Sequence, residues 1–228
     1  HYGYFIHSAA VIGEVAAQLA GDNKNWITEK AQNYVESLIR DVANPSTADP
    51  YFPQFRMFDW YHGHSFASGL VSSGDGRNQE SSSEDVNFAL GLKMWGRAIG
   101  SDSLEATGEL MLLVMRRAMN QYYFFNNDSS NGVIPEEYSP HMVPGILYEN
   151  KLTYVTFFGT DVQYIHGIQM LPITAALMLI KNQQYVAEEW TTFEFDCLVG
   201  ESLNEDPWGH VLKLNQALFD PGAALGHF

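Results

Sequence analysis

"ESSSEDVNFALGLKMWGRAIG", residues 80–100, decides how this chain is read. From about Ser82 to about Ile99 it carries an apolar stripe of Phe88, Ala89, Leu92 and Trp95, spaced three and four apart as one face of an α-helix requires. A polar crowd precedes that stripe. The stretch "DGRNQESSSEDVN", residues 75–87, holds Glu80, Glu84, three serines, Asp75 and Asn78, in a chain only 17% charged. Two readings of the crowd stand side by side. In one it is a helix cap: Ser82 or Ser83 caps the backbone, and the acids favour the positive helix N-terminus. In the other it is a site. A helix already begun at Glu80 would put Glu80 and Glu84 at i and i+4, one turn apart on one face. Like charges that close resist double ionisation, so one pKa rises, and such a pair suits general acid–base work.

Helical signals continue in both directions. Residues 8–20 read as a helix closed by Gly21-Asp22. Residues 28–43 carry Ala31, Tyr34, Val35, Leu38, Ile39 and Val42 at helical spacing, with Thr28 as N-cap and Asn44-Pro45 as the stop. Further helices are expected at 103–122, 162–181, 185–196 and 207–219. Long loops are expected at 44–64, with Pro45, Pro50 and Pro53, and at 126–145, whereas "KLTYVTFF" at 151–158 is β-branched and aromatic enough to be extended. No alternation of strand and helix appears. The expected class is therefore all-α: helical hairpins in a bundle or α/α toroid, with the loops carrying the site.

Composition excludes several functions. A net charge of -15 with twelve Lys and Arg speaks against a nucleic-acid partner. No run of eighteen apolar residues is present to span a membrane. The single cysteine, Cys197, rules out an internal disulfide framework and is expected to be a small buried hydrophobe. Asn127-Asp128-Ser129 is a glycosylation sequon, relevant if the protein is secreted. The opening "HYGYFIHSAAVIG" has no charged leader region and no cleavage site, as though cut from something longer. Aromatics make up 14% of the chain. They serve either a large core or the stacking of flat ligand faces such as sugars.

Two more constellations carry chemistry. "FDWYHGHSFASG", residues 58–69, brings Asp59, Trp60, Tyr61, His62 and His64 together. His62 and His64 could be paired metal ligands, but no correctly spaced third ligand follows. A sugar-binding loop fits the same residues: Asp and His for hydroxyls, Trp and Tyr for the apolar ring face. A tightly packed loop with satisfied histidines remains the plain alternative. At the N-terminus, "HYGYF" crowds His1, Tyr2 and Tyr4, which alone amounts to an aromatic turn.

Together, "HYGYF", "FDWYHGHSFASGL", "DGRNQESSSEDVN" and "FGTDVQYIHGIQMLP", in this order and spacing, resemble glycoside hydrolase family 81, the endo-β-1,3-glucanases, and its fungal secreted branch above all. The resemblance implies an (α/α)6 toroid or barrel, incomplete in this chain. Residues 1–228 would form a single domain holding most of that catalytic module, without the family's N-terminal β-rich and linking domains. It implies endo-hydrolysis of β-1,3-glucan with inversion and no cofactor or metal. Glu80 would be the general base, Glu84 its support or partner, and His1 a neighbour of the general acid. Asp59, His62 and His64 would line the glucan groove, with Trp60 and Tyr2 as aromatic contacts, Asn78 as an orienting amide and Gln163 as a further binding residue. The partner would be β-1,3-glucan, bound by a secreted or cell-wall monomer.

Three departures from the family pattern matter. The family's general acid, an aspartate, lies a few residues before the histidine matched by His1. Phe66 stands where Trp is usual, and Gln163 where Glu is frequent. Three functions follow for comparison: the hydrolase, a glucan-binding module that does not cut, and a metal enzyme using His62 and His64.

Overall fold

The computed structural model describes residues 1–19, 26–67, 74–125, 133–196 and 207–226. The expectations for Gly21-Asp22, the sequon at 127–129 and Cys197 lie outside these residues. Helices dominate: α1 (Tyr2–Leu19), α2 (Trp26–Ala43), α3 (Ser82–Ile99), α4 (Asp102–Tyr122), α5 (Val162–Gly167), α6 (Leu177–Ile180), α7 (Gln183–Thr192), α8 (Pro207–Gln216) and α9 (Pro221–Leu225). Strands are two or three residues long: β1 (Phe58–Asp59), β2 (His64–Ser65), β3 (Asn78–Gln79), β4 (Ile146–Tyr148) and β5 (Leu152–Thr153). The all-α class read from the sequence holds.

The chain divides into two compact units, His1–Gly69 with Glu84–Met115, and Leu70–Ser83 with Arg116–Phe228. In the first, α1 contributes Ile6 and Ala10 to the core, α2 Val35 and Ile39, α3 Val86, Phe88, Leu92 and Trp95, and α4 Met111 and Met115. Burial runs most of the way round α3, because backbone comes close to it from two directions. A Cβ on Gly3 would stand 2.8 Å from the backbone nitrogen of Phe88, and a Cβ on Gly96 would collide with the backbone of Glu105. Glycine at these two positions lets α1 and α4 approach α3 closely. Phe5 and Tyr34 join α1 to α2 edge to face, with ring centroids 6.5 Å apart.

In the second unit a core of Met170, Trp190, Phe195 and Leu212 collects Val162, Ile173, Phe193, Val211 and Phe219. A three-stranded antiparallel sheet of order β3-β4-β5 lies in this unit, with Asn78 opposite Tyr148, Gln79 opposite Leu147 and Ile146 opposite Thr153. The extended reading of 151–158 is met by β5 and by a bridge between Thr156 and Gly159.

Several boundaries differ from expectation. Helix α1 begins at Tyr2, so "HYGYF" is its first turn rather than an aromatic turn. Helix α2 has already begun at Trp26, which removes Thr28 from the cap position. The expected helix at 162–181 breaks into α5 and α6, since Pro172 has no N–H to donate and disfavours helix at Leu171. The 44–64 loop closes on the antiparallel pair β1-β2, where Phe58 faces Ser65 and Asp59 faces His64.

Candidate functional site

Helix α3 starts at Ser82, so Glu80 precedes it and Glu84 lies in its first turn. This corrects the premise that both glutamates share a helix face. Glu80 follows β3 in the second unit and is held there as a backbone corner. Its carbonyl accepts from the Tyr123 hydroxyl at 3.0 Å and from the Gln169 amide. Its carboxylate Oε1 accepts from the Phe157 N–H at 2.8 Å. The serines do not simply cap their own helix. Ser82 N–H and Oγ both donate to Gln169 Oε1, at 3.0 and 2.8 Å. Ser83 Oγ lies 2.6 Å from the Leu171 carbonyl, and Ser81 Oγ lies 2.9 Å from that of Ile168. All three serines are buried, which makes these bonds costly to leave unmade.

Glu84 belongs to the first unit, where α1 supplies its neighbours. His1 Nε2 is 3.5 Å from Glu84 Oε1, with the imidazole largely exposed. Burial raises the Tyr4 hydroxyl well above its ordinary pKa, and the Glu84 charge and a hydrogen bond to Glu84 add to that. Tyr4 is therefore a donor to Glu84 throughout the physiological range. Tyr2 is half-exposed on the same first turn.

Asp59 organises the 59–65 loop of the first unit. Its Oδ1 accepts from the N–H groups of Tyr61 and His62 at 2.9 and 3.2 Å, and its Oδ2 lies 2.9 Å from His62 Nδ1. Burial alone would raise its pKa, but the hydrogen bonds from His62 and Tyr61 outweigh it and set the carboxyl at about 2. Trp60 packs edge to face on Phe55 and Phe58, with centroids at 5.0 and 4.7 Å, and keeps a partly exposed edge. His64 points inward. It is buried, and its Nδ1 lies 2.8 Å from the Ser65 carbonyl. Burial lowers its pKa despite that bond and the nearby charge of Asp85. Buried Asp85, the residue after Glu84, accepts from the Ser65 N–H at 2.6 Å, and burial raises its pKa. The loop is thereby tied to the first turn of α3. The rings of His62 and His64 have centroids 6.1 Å apart. Among the described residues, no three His, Cys, Asp or Glu side chains are grouped to hold a metal ion.

Of the other residues expected at a site, Asn78 is buried in β3 and Gln163 is partly buried in the first turn of α5. Tyr4, Asp85 and Gln169 went unnoticed as partners of the site. All three stand inside motifs that the sequence does display, but nothing in the spacing names the atoms they meet.

The second unit also holds a polar cluster with no sequence signal. His166 and Glu189 are fully buried, with Nδ1 and Oε1 2.7 Å apart. His166 Nε2 lies 3.0 Å from the Tyr154 hydroxyl, and the buried Lys181 ammonium lies 3.8 Å from Glu189 Oε2. Burial would raise the pKa of Glu189, but Lys181, His166 and Tyr185 outweigh it and lower it. An ionised Glu189 can only accept, so His166 Nδ1–H donates to Glu189 Oε1.

The described residues thus define an all-α protein in which Glu80 is held within the second unit and Glu84 within the first. The family described as "Glycosyl hydrolase family 81 C-terminal domain" matches residues 1–228. The chain belongs to glycosyl hydrolase family 81. It is 42% identical over 228 residues to glucan endo-1,3-beta-D-glucosidase 2 of Saccharomyces cerevisiae, covering 100% of this chain and 29% of that protein. It is 40% identical over 232 residues to the primary septum glucan endo-1,3-beta-D-glucosidase of Schizosaccharomyces pombe, covering 100% of this chain and 21% of that one. A solved glycoside hydrolase family 81 structure from Clostridium thermocellum is similar at 32% identity and a TM-score of 0.78, over 100% of this chain and 30% of its own. The chain therefore spans under a third of the length of these relatives, and the all-α class expected of it is the class observed.

Proposed function

We propose that the chain is part of the catalytic module of an endo-β-1,3-glucanase that works by inversion, with Glu80 as the general base. The observation that carries this reading is the fixed geometry of Glu80. Its carbonyl is pinned by Tyr123 and Gln169, and its carboxylate is oriented by the Phe157 N–H. A base that must take a proton from one water at one angle gains from such fixation. Water attacks the anomeric carbon, Glu80 accepts its proton, the glycosidic C–O bond breaks, and the leaving oxygen takes a proton from the acid. That acid is the aspartate expected, by family resemblance, before His1. Inversion needs the two carboxyl groups about 6.5–9.5 Å apart.

Glu84, held by His1 and Tyr4, is assigned a supporting role. In the first unit, Asp59, His62, Trp60 and Tyr2 are assigned to sugar contacts, with buried His64 shaping the loop from beneath. In the second unit, Gln163 is assigned to sugar binding and buried Asn78 to fixing the strand before Glu80. The names of the relatives support a β-1,3-glucan substrate, and one of them a site of action at the septum; action outside the cell or at the cell wall, as a monomer, is part of the proposal. No helix among the described residues is long and apolar enough to cross a membrane.

The test is Glu80→Gln in the full-length protein. Gln keeps the shape and the acceptor for the Phe157 N–H but cannot take a proton. Turnover of laminarin oligosaccharides is expected to fall about 10²–10⁴-fold, with affinity nearly unchanged. Wild-type turnover in Glu80→Gln, with loss only in Glu84→Gln, would move the base to Glu84.

A further inference from the structure

Gln169 is fully buried, and both ends of its carboxamide are committed. Oε1 accepts from the Ser82 N–H and the Ser82 hydroxyl, and Nε2 donates to the Glu80 carbonyl. These partners leave one amide orientation, because a backbone N–H can only donate and a backbone carbonyl can only accept. A carboxylate at 169 would lack the donor, and an ammonium would lack the acceptor. Gln169 therefore spans the peptide units on either side of Ser81 and fixes the direction in which the chain turns from β3 into α3. Tyr123 supplies a second donor to the same Glu80 carbonyl, at 3.0 Å. None of these bonds ends on the Glu80 carboxylate, so none consumes the group that would accept the proton. The carboxylate has its own guide in the Phe157 N–H.

We propose that Gln169, assisted by Tyr123, is a positioning residue for Glu80: it locks the backbone corner from which that carboxylate reaches the attacking water. The proposal rests on the reading of Glu80 as the general base. It follows that Gln169 acts on the rate of the chemical step and not on the affinity for glucan. Displacement of a reacting group by about 1 Å can cost about 10²-fold in rate.

The experiment uses the full-length protein, with laminarin oligosaccharides as substrate. Gln169→Glu is isosteric and keeps an acceptor for Ser82, but sets a carboxylate oxygen against the Glu80 carbonyl. With folding at the assay temperature verified by circular dichroism, kcat is expected to fall about 10²-fold while KM stays within about twofold. Wild-type kcat in a folded Gln169→Glu overturns the proposal. Should that variant not fold, Tyr123→Phe carries the test, since it removes only the second donor to the same carbonyl. A kcat loss of about tenfold at unchanged KM supports the proposal, and an unchanged kcat overturns it. Glu80→Gln is assayed alongside. If Glu80→Gln stays active, the base reading fails. If Glu80→Gln is dead and Gln169→Glu runs at the wild-type rate, only the positioning role fails.

Discussion

The loop around Asp59 and the cluster around Glu189 solve the same problem in opposite ways. Each holds a carboxylate beside a histidine ring at 2.7 to 2.9 Å. Asp59 draws its partners from the next three residues, and it sits where water still reaches. Glu189 draws its partners from His166, Lys181 and Tyr185, which lie on α5, beyond the end of α6 and on α7, and it has no exposure. The first arrangement is cheap to form and cheap to lose. The second removes two charges from water and depends on each partner being present. Local construction yields a motif that reads directly from sequence, and long-range construction yields a stake in stability that does not.

Breaking the buried cluster should give the largest stability effect. Lys181→Met leaves the Glu189 carboxylate buried without its ammonium, and removing one partner of such a pair costs about 3–5 kcal/mol. Chemical denaturation of the folded protein should show a loss of that size. A change under about 1 kcal/mol would mean that His166 and Tyr185 alone satisfy Glu189. The matching change in the loop, Asp59→Ala, removes bonds that are exposed or only partly buried, so the same measurement should register about 1 kcal/mol or less. Equal losses in the two variants would erase the contrast.

The smallest effect is a titration. The Asp59 carboxyl sits at about 2 in the folded chain against an ordinary 3.8, so its folded value is depressed. Its contribution is fully present above the ordinary value and is lost as pH falls toward 2. The Tyr61 and His62 amide shifts should therefore hold steady through pH 4 and move only with a midpoint near 2. A midpoint near 4 would show that the loop does not hold its carboxylate.

Sequence alone determined the helical class, because Phe88, Ala89, Leu92 and Trp95 recur at the i, i+3 and i+4 period of a helix whatever lies opposite. It also displayed the polar run at 75–87 and the Asp59–His64 loop, since short-range hydrogen bonds draw on neighbours in the chain. The start of α3 near Ser82 was legible as well; the alternative that already had Glu80 inside the helix fails, because helix propensity cannot see Gln169 taking the Ser82 N–H from outside the helix. The single helix expected over 162–181 passed over a break that was legible, since Pro172 disfavours helix at Leu171. Only the tertiary structure decided that Gln169 and Phe157 meet Glu80, that Tyr4 meets Glu84, and that Lys181, His166 and Glu189 are buried together. Those pairings join residues from eight to nearly ninety positions apart. The apolar pattern says which face of a helix is buried, but it carries no information about which distant backbone groups that burial brings into reach.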